Sequence, residues 1–418
     1  MKKEPIITIP TYWTRKGGVK KVGDTYFDHP TALDGEQTLT RLLDSLKEVW
    51  GKFKVVILTG IVDYSDNKLY EQVEKKVDSL IKPYKKHFPI MQFAKSDVKF
   101  LKERMKKSNM LIDMLPQINL ACYPTIRNCQ LMVTNGLGSD VMIGLDDDEV
   151  VMRDHVKKAT EFIGKEYKGQ KIYGIGGYYK DKKGDHIMRD LKKPPIDNIF
   201  YRKRWIKNEG FIAVDRMKGR VQKSNFVFGG NMVMHRKMFM NVAYDLGITR
   251  GENMDYLINA KMHDLHFYFD KELYIIHMPP EKWDKKIKAF LRTGAFSMTN
   301  YYRLEQDMLR FIYEREKIRE CNDHHPELKK VSIDELKPYP GDFFEEKVVK
   351  DAVYALKFMY PEETKKLRIN AEVQVNRALE RARKLAPNYF LFNQKWIKLM
   401  KFIGEDKEFK KHLESGWL

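Results

Sequence analysis

Apolar positions in this chain recur with two different periods, and their alternation predicts the order of its elements. Ile6, Ile7 and Ile9 form a short apolar run that ends in Pro10, Thr11 and Tyr12 and reads as a buried strand, followed by a Gly-, Lys- and Asp-rich loop to Asp34. Leu39, Leu42, Leu43 and Leu46 recur at helical spacing and predict a helix over Glu36 to Trp50. Val55 to Leu58 mark a second buried strand within Phe53 to Thr59, and Leu69, Val73, Val77 and Leu80 a helix over 69–82. Ile90 to Phe93 reads as a third strand. Helices over 96–114 and 124–136 precede a fourth strand, Asp140 to Leu145, which runs directly into Asp146, Asp147 and Asp148. Strand and helix in strict alternation are the rhythm of an open parallel sheet.

Beyond Asp148 the pattern is mixed. Val151 to Lys165 reads as helix, Lys171 to Tyr179 as strand, and Lys180 to Asp185 as a polar turn leading into Ile187 and Met188 as a hairpin. Phe226 to Met234 carries Gly229 and Gly230 and meets a predicted helix from Arg236 to Leu246. Another helix covers Met254 to Lys261, and Leu265 to Phe269 and Leu273 to Ile276 read as two short strands around a turn at Asp270. From about Ile287 the chain reads as helices, including 298–318, 344–358 and 370–385, broken by a Pro-rich turn from Lys337 to Gly341.

A chain of 418 residues with 43% apolar composition can fill one large or two ordinary cores, which excludes a disulfide miniprotein and a wholly disordered chain. Lys and Arg number 77 against 58 Asp and Glu, a net charge of +19 that attracts phosphates, nucleic acid or anionic lipid without choosing among them. Zinc-finger spacing and RNA-binding consensus are absent from the sequence, so nucleic acid is not an expected partner. Cys122, Cys129 and Cys321 cannot form a staple framework, and a reducing cytoplasm is the expected compartment. The sequence carries neither a secretory core near its start nor a run of roughly 18 to 20 apolar residues, leaving peripheral contact with an anionic membrane surface open.

Ligands of open α/β sheets gather outside the carboxyl ends of the strands, so the triplet at 146–148 stands where chemistry is expected. Asp146 and Asp148, separated by one residue at a strand exit, can straddle a hard divalent cation if the backbone departs from ideal alternation. Such an ion offsets their repulsion and, with a pyrophosphate bound, neutralises charge on a departing nucleoside diphosphate. The competing reading is an exposed acidic turn after a strand.

Five segments in order resemble nucleotide-sugar-dependent glycosyltransferases of the GT-A fold, family 2-like: Ile7-Thr-Ile-Pro-Thr-Tyr12, Arg127-Asn128, Ile143-Gly-Leu-Asp-Asp-Asp148, Phe228-Gly-Gly-Asn-Met-Val-Met-His-Arg236 and Gly251-Glu-Asn-Met-Asp255. The resemblance spans about residues 5–280. It implies an α/β, GT-A-like Rossmann-type sheet, mostly parallel and flanked by helices. The catalytic domain would cover 1–290, with a nucleotide-binding half to about 150 and an acceptor-side half over 151–290, followed by a mainly helical region over 291–418. It further implies transfer of a hexose from a UDP- or GDP-type sugar to a hydroxyl acceptor, with Mg²⁺ or Mn²⁺ as cofactor. By the same resemblance Thr11, Tyr12 and Asp63 lie near the base or ribose and Arg127 near the nucleotide or its phosphates. Asp146 takes the ribose or metal side, Asp148 ligates the metal directly, and His277 completes the metal site; Gly229 and Gly230 line the donor sugar.

Glu252 and Asp255 are three apart, so on an initial helical turn they can face one cleft, and either can serve as base or position a substrate. The common inverting pattern has successive acidic residues, whereas here Asn253 follows Glu252. Arg250 precedes this pair, and Lys285, Lys286 and Arg292 follow His277, all candidates to close over a diphosphate. Tyr178, Tyr179 and Trp205 are candidates to shape an acceptor pocket, and the basic balance suits an anionic small molecule or glycan. Two other readings stand beside the transferase. A sugar nucleotidyltransferase would need an early basic glycine loop, which Thr14 to Lys21 matches only loosely; a non-catalytic nucleotide- or glycan-binding module would need none of the chemistry.

Overall fold

The first apolar run is a buried strand, β1 (Ile6–Thr14), with parallel neighbours on each edge and its faces covered as those of a helix-flanked parallel sheet are. The computed structural model describes residues 4–188, 196–280, 298–337, 341–359 and 361–417. The other strands are β2 (Thr31–Ala32), β3 (Lys54–Ile61), β4 (Ile90–Phe93), β5 (Val141–Gly144), β6 (Glu149–Val151), β7 (Glu166–Tyr167), β8 (Gln170–Lys171), β9 (Gly174–Lys180), β10 (Val221–Lys223), β11 (Met232–His235) and β12 (Phe267–His277). The main sheet runs β10-β12-β9-β11-β5-β1-β3-β4, with β2 on β1 and β6 on β12. β1, β3, β4 and β5 are parallel, as are β9 and β12, while β11 is antiparallel to both β5 and β9. The architecture is therefore a mixed, mostly parallel sheet flanked by helices, with a C-terminal helical extension, consistent with a Rossmann or GT-A-like fold.

Several elements differ from the sequence pattern for identifiable reasons. The two strands predicted around Asp270 are the single strand β12, whose register against β9 shifts between Phe269 and Tyr274. Asp270 is buried in that irregularity, where Arg220 donates to both its carboxylate oxygens at 2.8 and 2.7 Å. The helix predicted over Arg236 to Leu246 is one turn, Arg236–Phe239. Beyond it two asparagines from other helices take the backbone groups: Asn393 bonds Asn241 O and Ala243 N, and Asn128 bonds Tyr244 N and O, all at 2.9 Å. Ile187 and Met188 form no hairpin strand; the Asn208 side chain holds Met188 N and O instead. Asn208 belongs to a helix, Ile199–Arg216, that the apolar pattern did not reveal.

The predicted 96–114 helix stops at Lys107, and positive φ angles at Asn109 and Leu111 turn the chain into a short 3₁₀ segment, Ile112–Gln117. The helix predicted over Val151 to Lys165 shortens to His155–Glu161. The helix expected over 370–385 instead runs from Ala371 to Glu405, with Pro387 inside it. Its first half packs Val375, Ala378 and Ala382 with the other C-terminal helices, while Trp396, Leu399, Met400 and Ile403 enter the core of the sheet. The Pro-rich turn at 337–341 falls partly outside the described residues.

Candidate functional site

The carboxyl ends of β1 and β5 open into a cavity of about 370 Å³, lined among others by Tyr12, Asp28, His29, Arg127, Asp146, Asp147, Asp148, Lys203, Arg250, Glu252 and His277. Strand pairing explains why residues so distant in sequence meet there. β6 lies antiparallel on the end of β12 with His277 opposite Glu149, and Met278 N donates to Asp148 O at 2.7 Å. His277 is thereby fixed beside the acidic triplet.

Asp148 occupies the centre of the group. Its Oδ2 lies 3.0 Å from His277 Nε2 and 3.2 Å from His29 Nε2, yet this buried oxygen accepts no well-aligned hydrogen bond. Burial alone would raise its pKa, but the His277 and His29 imidazoles outweigh that and hold the carboxyl well below its usual range. Burial likewise opposes charge on His29, and the Asp148 carboxylate overcomes it, lifting the ring to about 9. Asp147 is different: burial and then the Asp148 charge push its carboxyl up to about 7, although Thr11 Oγ1 donates to it at 2.6 Å.

Asp146 faces the other way. Arg127 Nη2 donates to its Oδ1 at 2.8 Å, and the Tyr179 hydroxyl to its Oδ2 at 3.2 Å. Arg127 Nε also reaches Glu252 Oε1 at 3.3 Å, so one buried guanidinium joins the acidic triplet to the start of the Glu252–Met262 helix. Tyr179 additionally bonds Glu149, whose carboxyl is pushed well above its usual range, first by burial and then by the charges of Asp146 and Asp148. Gly230 passes directly over this knot. A Cβ there would lie 1.9 Å from Glu149 Oε1, 2.0 Å from the Tyr179 hydroxyl and 2.7 Å from Asp146 Oδ2, so any side chain would have to displace these three bonded groups. The same addition at Gly229 would sit 3.0 Å from Arg127 Nη2.

Of the residues singled out from sequence, Tyr12, Arg127, Asp146, Asp148, Arg250, Glu252 and His277 line this one cavity. Thr11 stands behind it, holding Asp147. Gly229 and Gly230 are backbone packed closely against the acidic group and Arg127, next to the cavity and not among the residues that line it. Asp63 is outside the lining, paired with Arg15 at 3.2 Å and capped by Ser65. Asp255 is also outside: its carboxylate is fully buried against Lys317 and Asn259. Lys285, Lys286 and Arg292 lie outside the described residues.

His29, Lys203, Asp28 and Asp307 were not singled out. His29 sits in an irregular loop with no periodic signal, and Lys203 in the helix that the apolar pattern did not show. Lys203 pairs with Asp307, and burial lowers its pKa to about 8. Arg250 reaches Asp28 Oδ1 at 3.4 Å, leaving the basic side of the cavity tethered to acids around its rim. Tyr12 stacks on Phe27 at 4.5 Å between ring centres and meets the edge of Tyr123 at 5.1 Å, which gives the cavity an aromatic wall.

Among the described residues no set of three or more His, Cys, Asp or Glu side chains is disposed as a ready metal cage. His29, Asp148 and His277 are drawn together as an ion-paired group. Among the described residues, too, no helix is long and apolar enough to cross a membrane.

No protein-family model and no curated protein matches the sequence. Among solved structures, the chain is similar to the mannosyltransferase PcManGT from Pyrobaculum calidifontis in complex with GDP-Man and Mn²⁺. Identity is 10%, the match covers 97% of this chain and 88% of that one, and the TM-score is 0.42. It is also similar to a mycobacterial protein at 11% identity, covering 67% of this chain and 70% of that one, with a TM-score of 0.32. Neither likeness is strong enough to carry an inference about what this chain does.

Proposed function

We propose that this chain is a glycosyltransferase that moves a hexose from a UDP- or GDP-type sugar to a hydroxyl-bearing acceptor, with a divalent cation at Asp148. The observation that carries the reading is the placement of Asp148 between His29 and His277, at the carboxyl ends of the strands and in one cavity with Arg127, Lys203 and Arg250.

The donor types suit a cation, a buried carboxylate oxygen flanked by two imidazole nitrogens, although among the described residues they are paired with one another and not set out as a cage. One carboxylate with two imidazoles suits Mn²⁺ better than Mg²⁺, which prefers oxygen ligands. Asp148, His277 and His29 would hold the ion, and the ion would supply charge neutralisation for the departing diphosphate.

The protein's own groups supply the rest. Tyr12, backed by Phe27 and Tyr123, offers a face for the nucleobase. Lys203 and Arg250, on the wall of the same cavity, would neutralise the charge of a bound diphosphate. Glu252 is the carboxylate positioned to take the acceptor hydroxyl proton in an inverting transfer, or to orient the acceptor in a retaining one. Asp255, buried against Lys317, takes no part in this reading.

The test is release of nucleoside diphosphate from a panel of UDP- and GDP-hexoses, with hydroxyl acceptors of anionic and neutral type, before and after chelation. Transfer that stops on chelation and resumes with Mn²⁺ supports the proposal, and anomer analysis of the product assigns the role of Glu252. Nucleotide binding without turnover across the panel would favour a binding module. Formation of a nucleotide sugar from a nucleoside triphosphate and a sugar phosphate would favour a nucleotidyltransferase.

A further inference from the structure

A second cavity, of about 260 Å³, opens beside β10 at the far end of the elements that build the first. One wall is apolar, formed by Ala213, Val214 and Met217 of the Ile199–Arg216 helix and its C-terminal cap, with Phe226. The other is polar and predominantly basic, with Lys223, Lys261 and Lys337 beside the single carboxylate of Glu335.

Lys261 is the unusual member. It lies in the last turn of the Glu252–Met262 helix, roughly 13 Å along the axis from Glu252 at 1.5 Å per residue, and is only 7% exposed. Its ammonium donates to Glu335 O at 2.8 Å and to Asn225 Oδ1 at 3.1 Å. An ammonium has three donors, and the Glu335 carboxylate is 3.9 Å away. Burial lowers the Lys261 pKa to about 8, and the nearby charges of Lys223 and Lys329 act in the same direction against Glu335. At 3.9 Å, the Glu335 carboxylate that faces it leaves room for a closer anion at the ammonium.

We propose that this cavity is a separate binding site for a small organic anion, a phosphate or carboxylate carried on an apolar or aromatic body. The anionic head pairs with Lys261 and Lys223, and the body lies against Ala213, Met217 and Phe226. The inference is independent of the transferase reading, since it concerns other side chains and needs no turnover.

Met217 lines this cavity and Met254 lines the first, so methyl-labelled methionine NMR on the full chain separates the two sites. Titration with phenyl phosphate is expected to move the Met217 methyl signal saturably, with inorganic phosphate moving it far less. Lys261→Met should weaken that titration by roughly tenfold or more, as loss of a charged hydrogen bond does. Ala213→Phe, at a half-buried position whose bulk fills the apolar wall, should abolish it. A Met217 signal that stays still up to ~10 mM phenyl phosphate, a weak limit for any specific site, overturns the proposal. So does a wild-type titration retained by either variant, or movement confined to Met254.

Discussion

Asp255 and Lys317 form an ion pair in which neither side chain has any exposure to solvent. Lys317 Nζ also contacts Asp245 Oδ2 at 2.8 Å, and Asn259 donates to the second oxygen of Asp255 at 2.8 Å. Lys317 comes from the Met298–His324 helix, so the C-terminal extension reaches in and takes one of the two carboxylates that open the Glu252–Met262 helix. Three residues on a helix differ by about 60° around its axis. That angle is enough to leave Glu252 on the cavity wall and turn Asp255 behind it.

This division separates stability from chemistry. Lys317→Met strands two buried carboxylates and should cost about 3–5 kcal/mol, read by chemical denaturation. Asp255→Asn should keep measurable transfer per folded molecule, whereas Glu252→Gln should lower it by about 10²- to 10⁴-fold if Glu252 is the base. Loss of transfer in the folded Asp255→Asn variant with retention in Glu252→Gln would reverse the assignment.

Gly230 is committed to the space over Glu149. Gly230→Ala should lose about 1–3 kcal/mol, the usual range for overpacking a filled site. Glu149→Ala removes the nearest obstructing atoms, so the double variant should be more stable than the sum of the two losses allows. Simple additivity in thermal melts would show that the contact is relieved elsewhere.

Much of this arrangement was legible in the sequence, and what was not has a common cause. The parallel half could be read because β1, β3 and β5 are short continuous apolar runs ending in polar residues, a local signal. Asp148 stood out at the end of such a run, whereas His277 did so only through the resemblance to GT-A glycosyltransferases. His29 did not, because a loop residue acquires its role only when the chain folds over the strand ends. The aborted helix after Phe239 depends on Asn128 and Asn393, more than a hundred residues away on either side. The removal of Asp255 from the cavity depends on Lys317 in the same way.

His155 gives the fold a sensitivity to acid. It is buried, and burial lowers its pKa to about 4 from an ordinary 6.5. Between those values the unfolded chain binds a proton that the folded one refuses, so stability is lost as pH falls below about 6.5. The contribution is about 1.4 kcal/mol per pH unit in that window. His155→Leu should flatten the slope of unfolding free energy between pH 6.5 and 4. His263 and His266, also held down to about 4 by burial, leave a residual slope. An unchanged slope in the variant would mean that His155 titrates normally in the fold.

If Asp148 gathers a cation against a nucleoside diphosphate, calorimetric titration of GDP and UDP with and without Mn²⁺ will show it. Wild-type protein should bind one of the two nucleotides more tightly when Mn²⁺ is present, and folded Asp148→Ala should lose that enhancement. Metal-dependent binding that survives in Asp148→Ala, or nucleotide affinity in the wild type that is indifferent to Mn²⁺, would mean that Asp148 holds no such cation.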